Sequence, residues 1–231
     1  MKKIIITLAV LLFGATANAR DLSMFQVTAG IAGNQSIFAG KATETNENDS
    51  SAIVSTKNES AVFMDGYQSG FIEIGVGPYI SFGYEHTPDS ISTPENKTRE
   101  TLVESKVSVD FNDLNTTYVK LNITKLGGLF VKAGTVETDL DIKETMGSGS
   151  TYSNVSTEGT MFGLGYAQQI GDSPFDIRVE GSYMDLDNVT TSNGVASGSA
   201  TAANSGRNQI STKYMEGLTG KIALTLTLGR N

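Results

Sequence analysis

Asp176, Arg178 and Glu180 occupy alternate positions in the segment Phe175-Asp-Ile-Arg-Val-Glu-Gly-Ser-Tyr183. Successive side chains of an extended chain point to opposite faces, so the three charges share one face. Phe175, Ile177, Val179 and Tyr183 take the other. Two carboxylates flanking a guanidinium can build an ion-pair network or serve acid–base chemistry. Glu73, Lys120, Lys132 and Lys221 alternate with apolar neighbours in the same way, as in Ile72-Glu-Ile74. Together the seven make three acids and four bases, all on the face opposite the apolar one.

Other reactive groups are sparse. His86 is the single histidine, and it stands beside Glu85. One histidine among scattered serines makes a poor acid–base site, and it is expected to be a solvated loop residue. Asp139 with Asp141, and Asp185 with Asp187, have the i, i+2 spacing that could hold a cation or a base. Alternating surface acids have that spacing too. The chain has no cysteine, so it has no disulfide, thiolate metal site or thiol nucleophile. No phosphate loop, zinc spacing or dinucleotide fingerprint is present. No catalytic, cofactor-binding or metal-ligating set is therefore expected. The Asn-x-Ser/Thr triplets at Asn58, Asn96 and Asn154 are read as compositional.

The elements that must position the seven charges are strands. The chain has 25 glycines, only 4 prolines and many Thr, Ser and Asn, with little helical periodicity. Alternating segments begin at Phe25-Gln-Val-Thr-Ala-Gly-Ile31 and continue through Phe71–Gly75 and Tyr79–Tyr84. Pro78 between these last two argues for a hairpin, because proline removes a ladder donor from a central strand. Residues 105–124 form the next segment, with 115–124 long enough to cross a bilayer and 105–112 projecting beyond it. In the following segment Leu129, Val131 and Ala133 are odd-numbered, whereas Val136, Leu140 and Ile142 are even. That slip predicts a bulge near Gly134, or the edge of the buried zone there. Phe162–Ile170, Phe175–Tyr183 and Leu218–Leu228 complete eight segments.

At the start, Met1-Lys2-Lys3, an apolar run to Phe13 and Ala17-Asn18-Ala19 have the form of a signal peptide cut after Ala19. The expected division is residues 1–19 as signal and 20–231 as one domain. Ten apolar residues are too few for a spanning helix, which needs about 20. Loss of Lys2 and Lys3 leaves 15 of the 17 basic residues against 25 acidic ones. Such a balance excludes nucleic acid as a partner, since phosphate binding requires a basic stripe.

The connections alternate in length. Long polar stretches at 33–65, 85–104, 144–158 and 187–211 interleave with short turns at 75–78, 125–128 and 171–174. An up-and-down meander puts all long loops at one end and all turns at the other. That is the rhythm of an eight-stranded antiparallel transmembrane β-barrel with four long outer loops. Closure matters because hydrocarbon cannot satisfy a free N–H or C=O. A soluble sandwich, with two apolar faces packed together, is the competing architecture.

In its leader, its eight alternating segments and its loop rhythm, the chain resembles the small OmpA/OmpX/OmpW-type outer-membrane barrels of Gram-negative bacteria. The resemblance implies a bacterial outer-membrane location. It also implies contact with outer-membrane lipid and lipopolysaccharide, and insertion by the barrel assembly machinery. Two features depart from the family pattern: the chain ends Leu228-Gly-Arg-Asn231 rather than in an aromatic residue, and it has no Trp. Any aromatic girdle must come from residues such as Phe25, Tyr84, Tyr166, Phe175 and Tyr183. Within such a barrel, Glu73, Lys120, Lys132, Asp176, Arg178, Glu180 and Lys221 form a polar lumen network. Glycines at 30, 75, 83, 134, 163 and 165 leave it room. A filled lumen implies a structural or surface-interaction protein, not an enzyme, whose acidic loops meet phage or surface ligands. A narrow porin-like channel lined by the same residues is the alternative.

Overall fold

The computed structural model describes residues 25–47, 53–100, 103–123, 126–145, 151–193 and 208–229. The expected signal peptide and its cleavage site lie outside them. The elements are β1 (Phe25–Glu47), β2 (Ile53–Val76), β3 (Ile80–Thr87), β4 (Ile91–Ser92), β5 (Asn96–Glu100), β6 (Val103–Asn122), β7 (Leu129–Thr145), β8 (Val155–Gln169), β9 (Phe175–Leu186), β10 (Thr190–Ser192) and β11 (Asn208–Leu228).

Eight of these strands form the wall in the order β1-β2-β3-β6-β7-β8-β9-β11, and β11 pairs back onto β1. Every pairing is antiparallel. The ring leaves no open edge at its waist, which rules out the sandwich. Ile177, Leu224 and Phe162 face outward, whereas Arg178 is 3% exposed.

The size of the barrel follows from its registers. Starting at Val27, hydrogen-bonded neighbours run Ile74, Phe82, Val119, Ala133, Phe162, Tyr183 and Leu218, and return to β1 at Ile37. The circuit closes ten residues above its start. Eight strands with that stagger tilt by about 40°. Every residue on the circuit is apolar, so the outer wall carries a continuous greasy spiral.

Three short turns join strands at one end. Each has a glycine in the left-handed region, at Gly77 (φ 64°), Gly127 (φ 69°) and Gly171 (φ 58°), where a side chain would be strained. The hairpin through Pro78 is as expected.

At the other end the fold departs from expectation. The polar stretch at 33–65 is mostly strand, because β1 and β2 stay paired from Phe25↔Val76 to Glu47↔Ile53. Within 85–104, β4 and β5 pair along β6 and continue the wall that β3 leaves at Thr87. The stretch at 144–158 gives way to β8 at Val155, and 187–211 contains β10 and the start of β11. The reason is that backbone ladders need no apolar face once both sides of a sheet meet water.

The bulge also lies elsewhere. In β7 the even positions from Phe130 to Leu140 face inward, and Phe130, Lys132, Val136, Thr138 and Leu140 are all buried. The extra residue is in β6, between Asn112 and Asn115, where Asp113 has φ 51°. It turns Phe111 inward from the parity that Val119 holds outward. A second bulge interrupts β11, where Lys41 pairs with Lys213 and Tyr214 has φ 55°. Apolar Val136 and Leu140 face inward because the outer end of the lumen is itself apolar.

The charged lumen as the candidate functional site

Glu73 is the hub of the interior and is 1% exposed. It is the inward residue between Ile72 and Ile74, which both point out. Arg178 reaches it from the other side of the barrel with two parallel hydrogen bonds, 2.6 and 3.0 Å. Tyr118 donates its hydroxyl to the same carboxylate at 2.8 Å, and Lys120 completes the set. Paired, charge-assisted bonds of this kind are the strong ones.

A second cluster lies beside it. Lys132 Nζ is 3.0 Å from Glu180, and Lys221 donates to both oxygens of Glu85 at 2.6 Å. Ser69 also donates to Glu85, at 2.7 Å. Cross-contacts of Lys132 to Glu85 (3.8 Å) and Lys221 to Glu180 (3.7 Å) merge these groups into one unit. Lys120 and Lys132 are direct register partners, a repulsive pairing that the acids around them offset.

Six of the seven expected residues thus converge. Asp176 is inward but lies nearer the turn end, accepting from Thr225 (3.4 Å) and Thr227 (3.3 Å). The residue that sequence reasoning missed is Glu85, assigned to a loop beyond Tyr84. Its parity, shared with inward Ser81 and Gly83, was the available signal. With Glu85 the lumen holds four acids and four bases, so its buried charges balance.

Aromatic rings separate the charges, and glycines make room for the rings. Lys132 Nζ lies 3.9 Å from the Tyr118 ring centroid, and the Arg178 guanidinium is 5.0 Å from Phe71 and 5.2 Å from Phe130. Rings at this distance attract the cations. Phe71, Tyr118 and Phe130 are the register partners of Gly30, Gly83 and Gly165. A Cβ at any of those glycines would overlap the facing ring. The expected space is therefore filled by aromatics as much as by the long charged chains.

Above the ions, toward the long connections, the lumen is closed by Phe38, Ile91, Leu114, Val136, Met161, Met184 and Met215. Phe38 stacks on Phe63 at 5.2 Å and on Phe111 at 6.1 Å, tying the β1–β2 hairpin to β6. Between ions and cap lies a void of about 20 Å³ bordered by Asn34, Tyr67, Glu85 and Lys221. That is room for about one water. A depression of about 390 Å³ lies outside the lumen, near Glu95, Lys106, Lys143 and Tyr152.

The remaining candidates sit outside the lumen. His86 is on the outer wall, its Nδ1 2.8 Å from Asn115 Oδ1, which also accepts from the Tyr84 hydroxyl. Asp139 and Asp141 accept bonds from Ser156 and Asn154. Asp185 and Asp187 are exposed. Asn58, Asn96 and Asn154 are exposed on the outer extension, each hydrogen-bonded to a neighbour.

No protein-family model and no curated protein sequence matches the chain. Solved structures do. The outer-membrane protein OprG from Pseudomonas aeruginosa aligns with a TM-score of 0.53 at 11% identity, over 85% of this chain and 96% of that one. The outer-membrane protein AlkL, solved in lipid bilayers, aligns at 0.43 with 10% identity over 87% and 90%. The attachment invasion locus protein Ail of Yersinia pestis aligns at 0.34 with 11% identity over 83% and 98%. At these identities the likeness speaks to architecture, and it is OprG that carries it. The fold is that of the small bacterial outer-membrane β-barrels.

Proposed function

We propose that the protein is an integral outer-membrane barrel with a sealed interior, and that it acts through the strand extension it raises above the membrane. The role is structural or surface-interacting. The observation that carries this reading is the double closure of the lumen. A seven-residue ion cluster fills its middle and an apolar cap covers its outer end, with a void of only about 20 Å³ between them. Eight strands leave space for side chains and little else. The wall supports a bilayer setting, since Ile31, Ile222, Phe162 and Leu218 stand out from it at 58–69% exposure. Lipid, lipopolysaccharide and the assembly machinery are its expected partners there. The outer extension, by contrast, is polar on both faces, as in Ser55–Ser60 of β2, and is suited to meeting other molecules in water.

Planar-bilayer recording of the purified protein tests the reading. No discrete conductance steps are expected. Reproducible steps whose ion selectivity changes in Lys132→Met would replace it with the narrow channel.

A further inference from the structure

Two lysines on the outward face of the barrel have no acid beside them. Seven of the nine lysines among the described residues lie within 4.0 Å of a carboxylate. Lys41 and Lys213 are the other two, and they are direct register partners across β1 and β11. Like charges placed opposite each other repel. In the lumen, acids offset the same pairing of Lys120 with Lys132; on the outer face no described carboxylate does. The backbone here is also unusual. Between Ala39↔Glu216 and Lys41↔Lys213, β11 carries one residue more than β1. Tyr214 lies in that bulge with φ 55°, a strained angle for an aromatic residue, and is 63% exposed. Bulges re-aim side chains. Here the bulge leaves Lys41 Nζ 5.4 Å from the centre of the Tyr214 ring. Glu216, one row below, takes a bond from the Tyr183 hydroxyl instead.

The pair stands where lipid headgroups begin. From Val27↔Leu228 to Ile37↔Leu218, the outward positions of β1 and β11 carry no charge. That climb of ten residues along tilted strands rises about 25 Å, the height of a barrel's apolar band. Lys41 is four residues further, roughly 10 Å higher, and its flexible stem can bend back toward the headgroup layer. Cα atoms of opposed residues are about 5 Å apart, so both ammonium groups can close on one phosphate.

We propose that Lys41 and Lys213, with Tyr214, hold the phosphate group of a lipid in the outer leaflet. Two unneutralised ammonium groups match the charge of a phosphomonoester. The apolar rows beneath them, through Ile37 and Leu218, take its acyl chains. The ligand is a lipid because the pair continues the lipid-facing belt on the same outward face. On the far side of the barrel, Glu137 and Glu158 are register partners on that face and would repel the same headgroup. The proposal rests on the membrane setting given above, and its test separates the two.

The chain has no tryptophan, so one substitution places a single indole in the wall. Ile37→Trp stands beneath the lysine pair, and Phe162→Trp beneath Glu158. Each is reconstituted in phosphatidylcholine vesicles containing phosphatidic acid, with bromine on the acyl chains of one lipid or the other. Quenching gives the relative affinity of the two lipids at that indole. Ile37→Trp should prefer phosphatidic acid roughly tenfold or more at low salt, and Phe162→Trp should show no preference. Adding Lys41→Gln and Lys213→Gln to Ile37→Trp should bring the ratio near one, whereas Lys41→Arg with Lys213→Arg should keep it. Equal affinity at Ile37→Trp would overturn the proposal, as would a preference that survives loss of both lysines. So would a preference abolished by millimolar inorganic phosphate but not by chloride of the same ionic strength, which would assign the pair to a soluble anion. Absence of quenching by brominated phosphatidylcholine at Phe162→Trp would instead overturn the membrane setting itself.

Discussion

Replacing Glu73 with glutamine removes one charge from the centre of the lumen and leaves its partners in place. The carboxylate takes two bonds from Arg178, one from Tyr118 and one from Lys120. Glutamine keeps one acceptor oxygen and turns an NH₂ donor toward cations. Four buried bases would then face three acids. Breaking a buried pair from one side costs about 3–5 kcal/mol, because the orphaned charge cannot return to water. Domains of this size are stable by about 5–15 kcal/mol, so Glu73→Gln should remove roughly a fifth or more of the total. Urea unfolding in phospholipid vesicles, followed by far-UV circular dichroism, measures it. Lys57→Met, which breaks the exposed pair with Glu59, is the control and should cost at most about 1 kcal/mol. Converting the whole triad with Glu73→Leu, Lys120→Met and Arg178→Met should restore most of the loss, since apolar groups of similar volume replace buried ions at little cost. The reasoning is refuted if Glu73→Gln costs no more than the exposed control. Water would then reach the cluster, and the lumen would be open.

Two further outcomes follow from the packing. Gly83→Ala should destabilise the barrel by about 1–3 kcal/mol, because the new methyl group overlaps the Tyr118 ring, whereas Gly33→Ala, facing open space, should be nearly neutral; the same unfolding assay ranks them. Ile222 and Ile53 are equally exposed at 65%, yet Ile222→Arg should cost about 2–4 kcal/mol in a bilayer and Ile53→Arg within about 0.5 kcal/mol, as one meets lipid and the other water.

The parts of the fold that were legible in the sequence are those under the constraint of the bilayer. Alternation such as Ile72-Glu-Ile74 or Ile177-Arg-Val179 exists because one face meets lipid and the other a charged interior, so strand and facing are read together. The outer halves of β1 and β2 carry no readable phase, because Thr, Ser, Asn and Glu stand on both faces while the backbone ladder needs no apolar face to form. Glu85 was lost at that same boundary, one residue beyond the last apolar outward side chain of its strand. The parity change in β7 misled for a different reason. The slip suggests a bulge near Gly134 or the edge of the buried zone, whereas it marks a change in the interior, from ions around Lys132 to the apolar cap at Val136. The bulge in β6 had no signal apart from Asp113, an ordinary residue on sequence grounds and special only by its backbone angle.

The rings that rest on bare backbone have a bearing on how the wall is assembled. Tyr118 fits only opposite Gly83, just as Phe71 fits opposite Gly30 and Phe130 opposite Gly165. Sliding β6 along β3 by two residues keeps every side chain on its proper face but drives the phenol into Ser81 or Glu85. Hydrogen bonding between strands would tolerate such a slide; the knobs at Tyr118 and Phe71 do not, whereas Phe130 would meet a second glycine, Gly163, in one direction. Tyr118 and Phe71 act as a vernier, letting the closing barrel settle in one alignment out of several that the backbone alone would accept.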